Sequence, residues 1–150
     1  MPTSAILCEP LAGLQAQAQG LADAADLAPS VISLRPRAPW RFVTARAWPA
    51  PLRAVGLADN SADILLSAGG TAGVVARALR RPGRQIVQIQ HPRQDPTRFD
   101  VVVVTRTALH PVTSARLAEA AAIWQPRLAH LPRPLVAVLI GGSNGRFRLD

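Results

Sequence analysis

Residues 63–73 read Asp63-Ile64-Leu65-Leu66-Ser67-Ala68-Gly69-Gly70-Thr71-Ala72-Gly73, and a helix-grade stretch, Val74 to Arg81, follows. The apolar run at Asp63–Ser67 is too short for a helix and suits a buried strand. Glycines between a strand and a helix are the joint of a βα unit, whose strands lie parallel. Working outward, Pro82-Gly83 stops the helix, and Gln85–Gln90 is a strand carrying Ile86, Val87 and Ile89. Asp100–Val104 adds four consecutive valines, a run that suits a strand covered on both faces. Upstream, Ser4–Cys8 is a first strand, Leu14–Leu27 a helix ended by Pro29, and Val31–Leu34 a second strand. Downstream, Thr113–Trp124 is an amphipathic helix capped by Thr113 or Ser114 and closing before Pro126, and Leu135–Ile140 is a last strand. The expected fold is therefore α/β: a Rossmann-like parallel sheet with helices on both faces. Arg35–Pro51, with four prolines, breaks the pattern and reads as a long irregular crossover.

The 150 residues suffice for one domain with a real core, and 49% hydrophobic residues exclude disorder. The net charge is +8, and all 17 basic residues are arginine. Such charge favours anionic partners, although GC-rich coding produces the same composition and charge alone speaks only to non-specific association. A nucleic-acid role would rest on charge alone and is not expected. The single cysteine, Cys8, closes an apolar run, which suits a buried inert thiol in a reducing compartment. There is no basic segment ahead of an apolar one at the N-terminus, and no apolar run of the ~18 residues that a spanning helix needs. A cytoplasmic protein is expected, at most peripheral to the inner face of a membrane.

The glycine turn Gly69-Gly70-Thr71-Ala72-Gly73 would present backbone N–H groups and a helix dipole to an anion. It lacks the Gly-x-Gly-x-x-Gly spacing of a dinucleotide fingerprint, and close helix–sheet packing explains it equally. A second turn, Gly141-Gly142-Ser143-Asn144-Gly145, is followed by Arg146 and Arg148 and would suit a phosphate, but it is not a P-loop. The most unusual stretch is Gln88-Ile89-Gln90-His91-Pro92-Arg93 with Asp95, Pro96, Phe99 and Asp100. Gln88 and Gln90 are expected on one face of their strand. His91, Arg93 and Asp95 then fall in a loop suited to anion binding or proton transfer. The plainer alternative is a turn held by an Arg93–Asp95 pair and a capped Pro96. His110 precedes a helix and His130 sits among prolines; no metal-ligand spacing and no Gly-x-Ser-x-Gly elbow is present. In Arg35–Pro51, the side chains of Arg37, Trp40, Arg41 and Trp48 could meet an anionic membrane surface, or the tryptophans could pack beneath the loop.

These pieces, in this order, resemble the mitochondrial fission ELM family, labelled in bacteria as glycosyltransferases of the GT-B type. Glu9–Ala22, with Gly13, Gln17 and Gly20, is similar to its opening loop and helix, and Ala62–Leu79 to its strand, glycine turn and Ala-Arg-Ala-Leu helix. Val87–Asp100 carries the most specific likeness, the Gln-Ile-Gln-His-Pro-Arg-x-Asp-Pro-x-x-Phe-Asp stretch. Leu109–Thr113 and Pro134–Asp150 resemble its Leu-His-x-Val-Thr element and its strand with a Gly-Gly turn. Three departures stand out. Glu9-Pro10 replaces Asp-Gly, a family loop is missing between Val104 and Thr105, and these 150 residues are expected to fall short of the family's second domain. The resemblance implies an acceptor-side domain over 1–140, with 141–150 starting a linker or second domain. It would be the N-terminal part of a glycosyltransferase acting on a cell-envelope polysaccharide or lipid acceptor, inactive alone. The implied partners are a nucleotide-sugar donor and a saccharide or lipid acceptor, with no cofactor and no metal. Gly13, Gln17, Gly69, Gly70, Gln90, Arg93, His110, Gly141, Gly142 and Ser143 would line the substrate cleft. His91 would handle a proton or orient the acceptor, and Arg93 would hold an anionic group. The rival readings are a non-enzymatic membrane-surface adaptor and a sugar-nucleotide-binding protein of epimerase type.

Overall fold

The computed structural model describes residues 2–138. Two compact units divide the chain, Met1–Pro111 and Val112–Asp150. The first is built on five parallel strands: β1 (Ser4–Cys8), β2 (Ser30–Ser33), β3 (Ile64–Ala68), β4 (Gln85–Ile89) and β5 (Val101–Val103). Their spatial order is β2-β1-β3-β4-β5. This is the expected Rossmann-like α/β sheet. Period-two alternation divides the side chains between its faces. Ile6, Cys8, Leu66, Ala68 and Ile89 pack under α1 (Ala12–Ala24) through Ala18 and Ala22. Ala5, Leu7, Leu65 and Ile86 face the other way, toward α3 (Gly70–Ala78), which contributes Ala72, Val75 and Ala76. Small residues let both helices lie close to the strands. One close approach is at Gly73, where a Cβ would stand 2.7 Å from Gln88 Oε1 and 3.0 Å from Gln94 Nε2.

Three expectations about strands need correction. The valine run is not covered on both faces. Among the described residues it supplies the edge strand β5, which pairs only with β4, and Val101 is 50% exposed. β4 ends at Ile89, because Gln90 turns to a positive φ of 64°, so Gln88 and Gln90 do not share a strand face. Residues 135–138 are not a strand: Val136 and Val138 are 82% and 78% exposed, and none of the described residues pairs with them. Apolar alternation makes a strand only where a neighbour takes its backbone hydrogen bonds. Residues 139–140 and the Gly141–Gly145 turn lie outside the described residues.

The crossover from β2 to β3 is irregular, as expected, but it is ordered. It makes two 3₁₀ turns, Trp40–Phe42 and Ala45–Ala47, then a short helix, α2 (Pro51–Val55), closed by Gly56 in the left-handed region. Trp48 is buried, and its indole Nε1 donates to the carbonyls of Trp40 and Val43, both at 3.1 Å. Trp40 is half-buried against the same core. The expected outward role of Trp48 is therefore overturned: its ring is the post on which the crossover stands.

At the amino ends of the strands the fold is tied by Arg84, whose side chain is fully buried. Its Nε donates to the Ala62 carbonyl at 2.9 Å, Nη1 to the Leu79 carbonyl at 2.5 Å, and Nη2 to the Asn60 carbonyl. Asp59 completes the site at 3.3 Å. Nearby, Thr3 donates to Asp63 Oδ2 from its backbone N–H and its hydroxyl, each at 2.9 Å.

In the second unit, α4 (Ser114–Arg127) is capped by Thr113, whose hydroxyl accepts from the Arg116 N–H at 3.2 Å. It does not stop before Pro126 but carries it in the last turn. Leu117, Ile123 and Trp124 are exposed on it, with the Arg127 guanidinium 5.1 Å from the Trp124 ring. Among the described residues no helix is long and apolar enough to cross a membrane.

Three outcomes test this packing. Trp48→Ala should lower unfolding free energy by about 3–5 kcal/mol in urea titrations, the range for a buried aromatic truncated to Ala. Gly73→Ala would stabilise an exposed helix by about 1 kcal/mol. Here it should destabilise by about 1–2 kcal/mol, because the Gln88 amide cannot yield without breaking its bond to Ser67. The third outcome is pH-dependent. Asp59 is held below the usual carboxylate range by its bond from Arg84, Asp63 by the Thr3 N–H and hydroxyl, and Asp95 by the Thr97 hydroxyl and N–H. A folded value below the unfolded one of about 4 adds stability above that pH and loses it as pH falls through the folded value. The urea midpoint should therefore drop below about pH 4, and Asp63→Asn should make that drop shallower.

Candidate functional site at the carboxyl edge of the sheet

In the order β2-β1-β3-β4-β5 the chain reverses direction across the sheet between β1 and β3. Connections leave to opposite sides there, which opens a crevice at the carboxyl ends of these strands. The β1 end passes through Glu9-Pro10-Leu11 into α1, and the β3 end through Gly69 into α3. Gly69 has φ of 93°, and a Cβ on it would lie 3.1 Å from Leu14 Cδ1, so the turn after β3 abuts the first turn of α1. Neither helix has a side-chain cap at its N-terminus. Gly13 and Gly70, in the first turns, border open space: a Cβ on either would meet nothing within 4 Å.

From α1, Gln17 Oε1 accepts from Gln90 Nε2 at 2.7 Å, which ties the helix to the chain leaving β4. The Gln90 N–H donates to the Val103 carbonyl at 2.8 Å, so β5 fixes the same residue from the other side. Beyond it, Pro92 is buried and anchors the loop, while His91 and Arg93 are exposed. Arg93 has φ of 54°, and its N–H donates to His91 Nδ1 at 3.0 Å. With Nδ1 accepting, a neutral imidazole carries its proton on Nε2 and offers a donor.

Of the alternative, the Arg93–Asp95 pair is absent, but the capped Pro96 is found: Asp95 is the N-cap of a 3₁₀ turn, Pro96–Arg98. Asp95 accepts from the Thr97 N–H at 3.0 Å and the Thr97 hydroxyl at 2.7 Å, and stands 3.7 Å from Arg98. Among the described residues Arg93 makes no ion pair. His110 is placed by its main chain: its carbonyl carbon and oxygen lie 2.7 and 2.9 Å from where a Cβ on Gly20 would stand, about one turn beyond Gln17 on α1. The structure thus gathers Gly13, Gln17, Gly69, Gly70 and Gln90 at the carboxyl edge, with His91 and Arg93 on the next loop. Gly141, Gly142 and Ser143 lie outside the described residues.

Beneath the site is a polar pair that sequence reasoning missed. The Ser67 hydroxyl donates to Gln88 Oε1 at 2.7 Å, and Gln88 Nε2 donates to the Ile89 carbonyl at 2.9 Å. The two residues are register partners on β3 and β4. Only the strand order could have revealed them. Among the described residues no three His, Cys, Asp or Glu side chains gather as a metal site. Burial raises the Cys8 thiol pKa, and Glu9 raises it further. A hollow of about 670 Å³ lies at the opposite edge of the sheet, among Thr3, Asp26, Leu27, Ser30, Asn60 and Ser61, away from all these groups.

The profile of the family described as Mitochondrial fission ELM1 matches residues 12–150. The Mitochondrial fission protein ELM1 of Arabidopsis thaliana is 30% identical over 128 residues, covering 58% of this chain. The chain spans 30% of that protein's length. No solved structure matches. The resemblance carried by the strand-end motifs is thereby established at the level of the family, and the chain belongs to the mitochondrial fission ELM family.

Proposed function

We propose that the carboxyl edge is the acceptor-side wall of a glycosyl-transfer cleft, in a protein that moves a sugar from a nucleotide donor to a cell-envelope polysaccharide or lipid. The observation that carries this reading is the Gln17–Gln90 bond, which draws the His91–Arg93 loop against α1 beside the β1/β3 crevice. An acceptor there would meet the open first turns at Gly13 and Gly70. His91, with Nε2 as donor, holds or orients an acceptor oxygen. That tautomer does not receive the acceptor's proton, so the expected proton-handling role narrows to orientation. Arg93, without a carboxylate partner among the described residues, takes an anionic group such as an acceptor phosphate. The donor would be held by residues beyond those described.

The test is sugar transfer by a two-domain relative carrying alanine at the positions of His91 and Arg93. Loss of an orienting donor should lower kcat/KM on the order of 10²-fold for His91→Ala. Arg93→Ala should act mainly on the KM for an anionic acceptor. Unchanged transfer in both variants overturns the assignment. Absence of any transfer in the parent protein favours the adaptor reading, in line with the fission role in the plant relative's name.

A further inference from the structure

The positive charge of this chain is not evenly neutralised. Among the described residues, the ion pairs use Arg80, Arg81, Arg84 and Arg98. Between Asp26 and Asp59 there is no acidic residue, yet this stretch holds Arg35, Arg37, Arg41, Arg46 and Arg53. All five are exposed, and none is in an ion pair among the described residues. They lie on the β2–β3 crossover, which is a fixed platform. Trp48 is locked beneath it, the Arg37 N–H donates to the Ala54 carbonyl at 2.8 Å, and Leu52 and Val55 pack on the core. Gly56 leaves room for the Arg37 guanidinium, whose Nη2 would stand 2.2 Å from a Cβ there.

The platform presents an apolar tip. Phe42 is 75% exposed and Val43 beside it is exposed as well. The Arg41 guanidinium lies 4.5 Å from the Phe42 ring centroid. A cation stacked on an aromatic, on a crossover with four further exposed arginines that make no ion pair among the described residues, and next to an exposed aliphatic side chain, matches the boundary between lipid headgroups and acyl chains. We propose that the Arg35–Arg53 crossover docks on an anionic lipid bilayer, with Phe42 and Val43 entering the interface and the arginines meeting lipid phosphates. The contact residues differ from those the sequence suggested: Trp48 is structural, and Phe42, Val43 and Arg46 take its place at the surface. Single-stranded nucleic acid is a poorer fit, because it needs free ring faces for base stacking, and Arg41 occupies one face of Phe42. The proposal does not depend on the glycosyl-transfer reading.

The experiment is sedimentation of the chain with vesicles of phosphatidylcholine alone and of phosphatidylcholine with phosphatidylglycerol, with circular dichroism confirming that each variant is folded. Binding should require the anionic lipid and weaken with salt. Each of Arg41→Gln and Arg46→Gln should reduce partitioning roughly fivefold, and Phe42→Ser should reduce it at unchanged charge. Arg106→Gln removes one exposed arginine outside the crossover and should leave partitioning near the parent value. Equal binding to neutral vesicles, an Arg106→Gln loss matching that of Arg46→Gln, or a single-stranded oligonucleotide that displaces the vesicles overturns the proposal.

Discussion

A buried amide is costly unless it keeps its hydrogen bonds, and the carboxyl edge of this sheet is organised around one that does. Gln88 is fully buried between β3 and α3, where its amide is satisfied by the Ser67 hydroxyl and the Ile89 carbonyl. Unsatisfied, such a group would cost about 1–3 kcal/mol. Its presence dictates what may lie above it. The helix over it has glycine at residue 73, and Phe99 closes the same spot, 3.4 Å from where a Cβ on Gly73 would stand. With Gln88 fixed, the chain leaving β4 starts from a rigid point, and the turn at Gln90 carries that rigidity into the His91–Arg93 loop.

The two edges of the sheet are built differently. At the amino edge polar groups are saturated: Arg84 is surrounded by carbonyls and Asp59, and Asp63 by Thr3. At the carboxyl edge two helix N-termini lack side-chain caps, and Arg93 has no carboxylate partner among the described residues. The same strands thus end in polar groups held by one another on one side and in helix N-termini without side-chain caps on the other.

Much of the fold was legible because β1, β3 and β4 are short apolar runs bounded by Gly, Pro or polar residues, which is how strands buried on both faces read. The same rule failed at the valines of β5, since composition does not show which strand lies at the edge. It failed again at residues 135–138, where a strand-like pattern has no paired neighbour among the described residues. At the site, the glycine turns and the Gln90–Arg93 stretch were readable, being punctuated by residues with restricted or unusual backbone preferences. The partners were not. Asp95 bonds Thr97 rather than Arg93, which is equally two residues away, because the short Thr97 side chain and N–H require less ordering than a long arginine side chain. Gln17 and Gln90, 73 positions apart, meet only once the topology is known. The tryptophans of the crossover were visible, but which aromatic faces inward depends on the 3₁₀ turns that give Trp48 its two carbonyls.

Those tryptophans also make the chain its own optical probe. Trp48 sits in an apolar core with its indole N–H bonded, and Trp40 lies half-shielded beside it, both within Met1–Pro111. Trp124 stands exposed on α4 in Val112–Asp150, beneath the Arg127 guanidinium. With no tyrosine in the sequence, near-ultraviolet emission divides into a blue component from one unit and a red, quencher-accessible component from the other. The two units thus carry separate spectral signatures without any label.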